Sequence, residues 1–150
     1  MVIMEDKKLF LDTNILVYSS LTNSDFQHIA RGKILEFATN NYEIWISRQV
    51  IREYLSVISK ILFTEPDFKI DDVIISVEKF SNQFYIADEI KSTSEILLDL
   101  VKKHNITGKN VHDCNIVATM KQYDIKNILT HNTKDFIKYS PREINVIGLL

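Results

Sequence analysis

The 150-residue chain contains a single cysteine, Cys114, so no internal disulfide can brace it. No Cys/His spacing resembles a zinc site. A reducing, cytoplasmic setting is therefore expected. No uninterrupted apolar run approaches the roughly 18 residues of a membrane span. Leu9-Phe10-Leu11, closed by Asp12, is far too short for the apolar core of a secretory signal. Strong positive charge is also missing: a net charge of -2 excludes a basic nucleic-acid coat protein. It does not exclude a nuclease, whose acids sit in a cleft while local Lys and Arg hold phosphate. Internal repeats, low-complexity tracts and linkers are absent as well.

What remains is an ordinary globular composition, 45% hydrophobic and 25% charged, at the length of one domain over residues 1–150. The organising stretch is Lys8 to Tyr18. Its apolar run reads as a fully buried parallel strand over residues 8–12, and Asp12-Thr13-Asn14 as the turn into a short helix over residues 15–20. Asp12 then lies at a strand's carboxyl end, where ligands collect in open α/β sheets. It could equally be an ordinary N-cap, a role open to Thr13 and Asn14 too.

The pattern repeats along the chain. Ser24 or Asp25 is a cap for a helix reaching about Ala38, Asn40-Asn41 makes a turn, and Ile44-Trp45-Ile46 is a second buried strand ending at Ser47. Ile51, Leu55, Ile58 and Leu62 signal a helix over residues 48–63. Val57, Ile61, Tyr54 and their apolar neighbours fill one arc, and Glu53 falls about 40° outside the Val57 edge, at the margin between core and solvent. Helices are expected over residues 70–80, 93–104 and 111–123, with Gly108 turning into the last of these. Short strands are expected at 84–86 and 128–130. After the polar turn at residues 131–135, Pro141 closes a helical piece and residues 144–147 make an edge strand. Strands alternating with helices predict an α/β fold, a mainly parallel sheet covered on both faces.

Several acids sit where the pattern calls for something else. Asp113 shares a helix face with Ile116, Val117 and Met120, an inward stripe on which a carboxylate is costly without a partner. Asn110-x-x-Asp113 also reads as a capping-box variant, and Asn132-x-x-Asp135 carries the same ambiguity. Glu53 taken alone is a solvated helix carboxylate. Together, Asp12, Glu53, Asp113 and the Asn132/Asp135 turn can face one sheet edge, an all-oxygen set suited to Mg²⁺ or Mn²⁺. Two carboxylates about 5 Å apart repel by roughly 3 kcal/mol at an effective dielectric near 20, so several need a cation to stay ionised together. Such a cluster suits phosphodiester hydrolysis. His112 and His131 are read as solvated rather than as bases. Tyr54, Trp45 and the Phe residues are read as core. Arg48, Arg52, Lys109 and Lys134 flank the acids and could hold phosphates, or simply be solvated surface.

These residues resemble the PIN-domain ribonucleases, most nearly the VapC-type toxins of toxin–antitoxin pairs. Phe10-Leu11-Asp12-Thr13-Asn14-Ile15-Leu16 is similar to the family's first motif, with Asp12 as a metal-binding acid and Thr13 and Asn14 in support. Residues 47–57 resemble the second, carrying Ser47 and Glu53, and residues 110–118 the third, carrying Asp113. Thr130-His131-Asn132, within residues 129–136, resembles the fourth, with Asn132 where many members have an acid and Asp135 available to supply the charge, directly or through water. The resemblance implies a single PIN-like nuclease domain, a three-layer α/β/α sandwich and a homodimer, with the helices between Arg48 and Phe80 as the seam. It also implies Mg²⁺- or Mn²⁺-dependent cleavage of single-stranded or structured RNA, with Asp12, Glu53, Asp113 and Asp135 catalytic, Asn132 joining them on the metal, and a cognate antitoxin that blocks the site. Two other readings fit the residues. One is a non-catalytic PIN-like binding module with a degraded metal site. The other keeps Asp12 as a phosphoacceptor, as in receiver or haloacid-dehalogenase-like folds, although Asn14 replaces the second Asp of the latter.

Overall fold

The structure, a computed structural model, describes residues 6–150. At its centre β1 (Lys8–Leu11) carries Leu9, Phe10 and Leu11, all fully buried, because a strand flanked by neighbours and covered on both faces has no solvent side. The sheet order is β3-β2-β1-β4-β5, with β2 at Glu43–Ser47, β3 at Tyr85–Ala87, β4 at Asn127–Thr130 and β5 at Asn145–Gly148. Every pairing is parallel, and in the two central ladders Phe10 is in register with Trp45 on β2 and with Ile128 on β4. A receiver fold orders its strands 2-1-3-4-5, so the phosphoacceptor reading loses that template.

Parallel strands need crossovers, and right-handed crossovers put helices on opposite faces once the strand order reverses. From β1 the chain steps outward to β2 and β3 through α1 (Thr13–Ser20), α2 (Gln27–Thr39), α3 (Arg48–Leu62) and α4 (Ile70–Gln83), which pack on one another. It then returns past β1 to β4 and β5 through α5 (Lys91–His104), α6 (Asn110–Gln122) and α7 (Thr133–Phe136), a second mutually packed group. The result is the three-layer sandwich. No helix among the described residues is long and apolar enough to cross a membrane.

Boundaries follow local chemistry. Ser47 caps α3, its hydroxyl accepting from the Val50 amide at 3.2 Å. Neither Ser24 nor Asp25 caps α2, which starts at Gln27: the Ser24 hydroxyl accepts from the Phe26 amide instead, closing a local turn. Asn110 caps nothing either. It is the first residue of α6, after a Lys109 cap without a side-chain bond, so the capping-box reading of Asn110-Asp113 fails. Asn41 and Gly108 turn the chain in the left-handed region, at φ 65° and 59°. Val57 and Ile61 on α3, Phe63 just after it, and Ile70, Ile74 and Ile75 on α4 remain exposed, so the apolar arc of α3 is wider than the core it covers.

Away from the crevice, buried Glu143 ties the approach to β5 to two helices. It is held by the ammonium groups of Lys103 on α5 and Lys121 on α6. Burial raises its pKa, but the hydrogen bonds and charges of the two lysines outweigh that and bring it down to about 2. A lowered folded value means stability that is present above the ordinary carboxylate range and lost as pH falls toward 2. Glu143→Gln should therefore lower the melting temperature at pH 7 and lose most of that effect at pH 2.5. An equal penalty at both pH values would show that the ion pairs are not what Glu143 supplies.

Candidate active site

The strand order reverses between β1 and β4, and the carboxyl ends of these two strands open the crevice where α/β folds place their ligands. Asp12 leaves β1 there, and its amide donates to Leu129 O at 3.1 Å, continuing the ladder to β4. Its side chain does both things the sequence left open. Oδ1 accepts the Thr13 amide at 2.8 Å as the cap of α1, and the carboxylate lines a cavity of about 530 Å³. Oδ2 accepts from Thr130 Oγ1 at 2.7 Å and Asn14 Nδ2 at 3.0 Å.

Glu53, Asp113, Asn132 and Asp135 line the same cavity, with Thr13 and Asn14 between them. Thr130, fully buried at the end of β4, does not line it but hydrogen-bonds residues that do, Asp12 among them. Ser47 stays with its helix cap. Asn132 occupies the cap position of α7 without a capping side-chain bond, while its backbone amide donates to Thr130 Oγ1 at 3.0 Å. Asn14 closes the circle: its Oδ1 accepts the His131 amide at 3.1 Å, pinning the turn after β4 to the start of α1.

Glu53 is half-buried, as its helical position predicts, and both its oxygens are occupied. Thr13 Oγ1 donates to Oε2 at 2.6 Å and Gln49 Nε2 to Oε1 at 2.7 Å. Gln49 is the residue that sequence reasoning passed over. Its buried amide also donates to the His112 carbonyl at 2.9 Å and accepts from Asn115 Nδ2 at 2.8 Å, joining α3 to α6. The available signal was its place four residues before Glu53, on the same helix face.

The charges are crowded. Burial is the main reason that Asp12 titrates at about 6, with Glu53 adding to it against the hydrogen bonds of Thr130, Thr13 and Asn14. Asp113 also stands at about 6, through burial first and then the charges of Asp135, Asp12 and Glu53, with Lys138 opposing them. Lys138 was likewise unmarked in the sequence. Arg48 and Arg52 turn instead to Asp88 (2.9 Å) and Glu89 (3.4 Å), and none of Arg48, Arg52, Lys109 and Lys134 lines the cavity. His131 is no free surface histidine, since it packs on Tyr18 and Phe26.

Among the described residues, no three His, Cys, Asp or Glu side chains close tightly enough to hold a metal ion alone. The acids share a cavity without forming such a tight cluster, and Thr13, Thr130 and Gln49 occupy oxygens of Asp12 and Glu53. The donors are all oxygen, and no described basic group forms an ion pair with the four carboxylates. That set fits a hard cation that keeps much of its water, as Mg²⁺ does when held by one or two carboxylates.

Two outcomes follow from this geometry. A carboxyl raised in the folded state binds its proton more tightly folded than unfolded, so stability is highest below about pH 4 and falls as pH rises through 6. Metal-free protein should therefore melt higher at pH 5 than at pH 8, and Asp12→Asn should remove about 1.4 kcal/mol of that difference. An unchanged pH profile in the variant would contradict the burial of this charge. Gln49→Leu removes the partner of Glu53 Oε1, a donor to the His112 carbonyl and one of the two acceptors of the Asn115 amide, and should cost about 1–3 kcal/mol in urea unfolding. A cost near zero would mean that the bridge between α3 and α6 is not made.

The model of the PIN domain family matches residues 9–140. No curated protein matches the chain in sequence. Solved structures are similar in fold. VapBC2 from Rickettsia felis, bound to a DNA fragment from its promoter, gives a TM-score of 0.67 at 21% identity, covering 94% of this chain and 98% of that one. A toxin–antitoxin complex from Klebsiella pneumoniae gives 0.62 at 20% identity, over 95% and 98%. The sarcin–ricin loop cleaving toxin VapC20 of Mycobacterium tuberculosis gives 0.60 at 12% identity, over 80% and 86%. With a match that runs from β1 to the turn before β5, this chain belongs to the PIN domain family.

Proposed function

We propose that this chain is a divalent-cation-dependent endoribonuclease, the toxin of a toxin–antitoxin pair. The observation that carries the reading is the convergence of Asp12, Glu53, Asp113, Asp135 and Asn132 on one cavity at the β1/β4 crevice. Family membership supports nuclease chemistry. The likeness to a toxin that cleaves the sarcin–ricin loop supports RNA, single-stranded or structured, as substrate. The likeness to a toxin–antitoxin complex supports a cognate antitoxin as partner. A homodimer is proposed with it, seated on exposed Phe63 at the end of α3 and Ile70, Ile74 and Ile75 of α4, which lie outside the cavity.

In this reading Asp12, Glu53, Asp113, Asn132 and Asp135 hold Mg²⁺ or Mn²⁺. The cation supplies Lewis acidity toward the phosphate and a more acidic water. The chain's own work is positional. Thr13 and Gln49 aim the two oxygens of Glu53, while Thr130, Asn14 and the Thr13 amide fix those of Asp12. Asp113 and Asp135, on different helices, supply charge from the other side of the cavity. Asn132 contributes a neutral amide where many relatives carry an acid, which weakens the cation's hold on that side. The same amide favours a second reading, a binding module without catalysis.

Asp12→Asn and Asp113→Asn should each abolish metal-dependent cleavage of RNA while leaving the metal-free protein at least as stable, because each removes a repelling charge. Manganese titration by calorimetry separates the two readings. Saturable binding lost in Asp113→Asn accords with the nuclease, and its absence in the wild type would favour the binding module. RNA cut normally by either variant would refute the assignment of the site.

A further inference from the structure

Half of the cavity is not acidic. Beside the carboxylates its lining includes Val17, Tyr18 and Leu21 of the α1 segment and Val57 and Ile61 of α3, with Val57 one turn from Glu53. Val57 and Ile61 lie 39% and 44% exposed on a helix whose other apolar residues face the core, so apolar surface stands in water immediately beside four acids. We propose that this wall seats one unpaired nucleobase of the RNA whose phosphate lies at the carboxylates; the inference rests on the ribonuclease reading.

Three observations point to a base rather than to another occupant. A nucleotide carries, within one small unit, an anion that a cation among the acids would attract and a flat, largely apolar ring that the adjoining apolar residues would cover. The cavity holds both halves in about 530 Å³, the scale of a single small ligand and much less than the long groove that an amphipathic helix needs. The wall also includes an aromatic ring that is already braced. Tyr18 stands 5.0 Å from Phe26 and 5.3 Å from His131, and these two are 4.8 Å apart, centroid to centroid.

That bracing connects to the acids through one side chain. Asn14 accepts the His131 amide with Oδ1 and donates to Asp12 with Nδ2, so the aromatic cluster and the first carboxylate are held in a fixed relation. A platform fixed before the ligand arrives loses little freedom on binding. A base can enter a cavity of this size only when it is unpaired and splayed from its neighbours, so the cut must fall beside an unpaired or splayed nucleotide.

The test is a binding and cleavage series on a defined oligoribonucleotide cut by the wild type. An abasic residue is substituted in turn at each position within two nucleotides of the cut. Tyr18→Leu should raise KM about tenfold or more on the intact strand, with a smaller change in kcat, and Tyr18→Phe should recover most of the loss because it keeps the ring. At one position the abasic strand should be handled alike by wild type and Tyr18→Leu. Ile61→Ser, a change at an exposed site that folding tolerates, should weaken intact but not abasic RNA in the same manner. If Tyr18→Leu and Ile61→Ser cut intact RNA as the wild type does, or if their loss persists on every abasic strand, the base subsite is wrong and the wall belongs to a protein partner. A wild type that cuts no RNA would instead defeat the ribonuclease reading beneath it.

Discussion

Mutual repulsion among carboxylates at the β1/β4 crevice is the constraint that the rest of the molecule answers to. Four acids share one cavity with little positive charge near them, and two titrate well above the usual range. A fold keeps such an arrangement only if its surroundings over-determine it. Here they do: Thr13, Asn14, Gln49 and Thr130 spend their hydrogen-bonding capacity on Asp12, on Glu53 or on the turn beside them. The charge that destabilises the cavity on its own is the charge that a cation would require, a common relation between strain and function.

The sheet makes this possible by keeping its middle rigid. β1 is paired on both sides and buried on both faces, so its carboxyl end is a fixed point from which Asp12 projects. α3 and α6 approach from opposite layers, and without further linkage each could shift on the sheet. Gln49 links them at the level of the site, while Glu143 links α5 and α6 to the approach to β5. The two polar ties thus restrain the layer that carries Asp113 at both of its ends.

Much of the fold was legible because its signals are local. The run Leu9-Phe10-Leu11 ending in an acid, the period of Ile51, Leu55, Ile58 and Leu62, and the turn at Gly108 each reflect the conformation of a few neighbouring residues. The convergence of acids could be anticipated from their places at strand ends and helix starts. What stayed hidden was orientation. Whether Ser24 capped a helix or closed a turn, and whether Arg48 turned toward the crevice or toward Asp88, depends on partners 2 to 40 residues away. The apolar arc of α3 shows the same limit: periodicity marks Val57 and Ile61 as apolar but cannot tell a core from the wall of an open cavity.

The bond between Thr130 and Asp12 spans 118 residues of sequence, although their strands are neighbours in the sheet. Synthesis proceeds from the amino end, so β1, β2 and β3 can emerge and pair while the strand that completes the crevice is still unmade. The acids of the first half then face a gap where Thr130, Asn132 and Asp135 belong. A chain under translation consequently lacks the complete acidic cavity until its final fifth is delivered, so order of assembly alone delays the site until the whole sheet is in place.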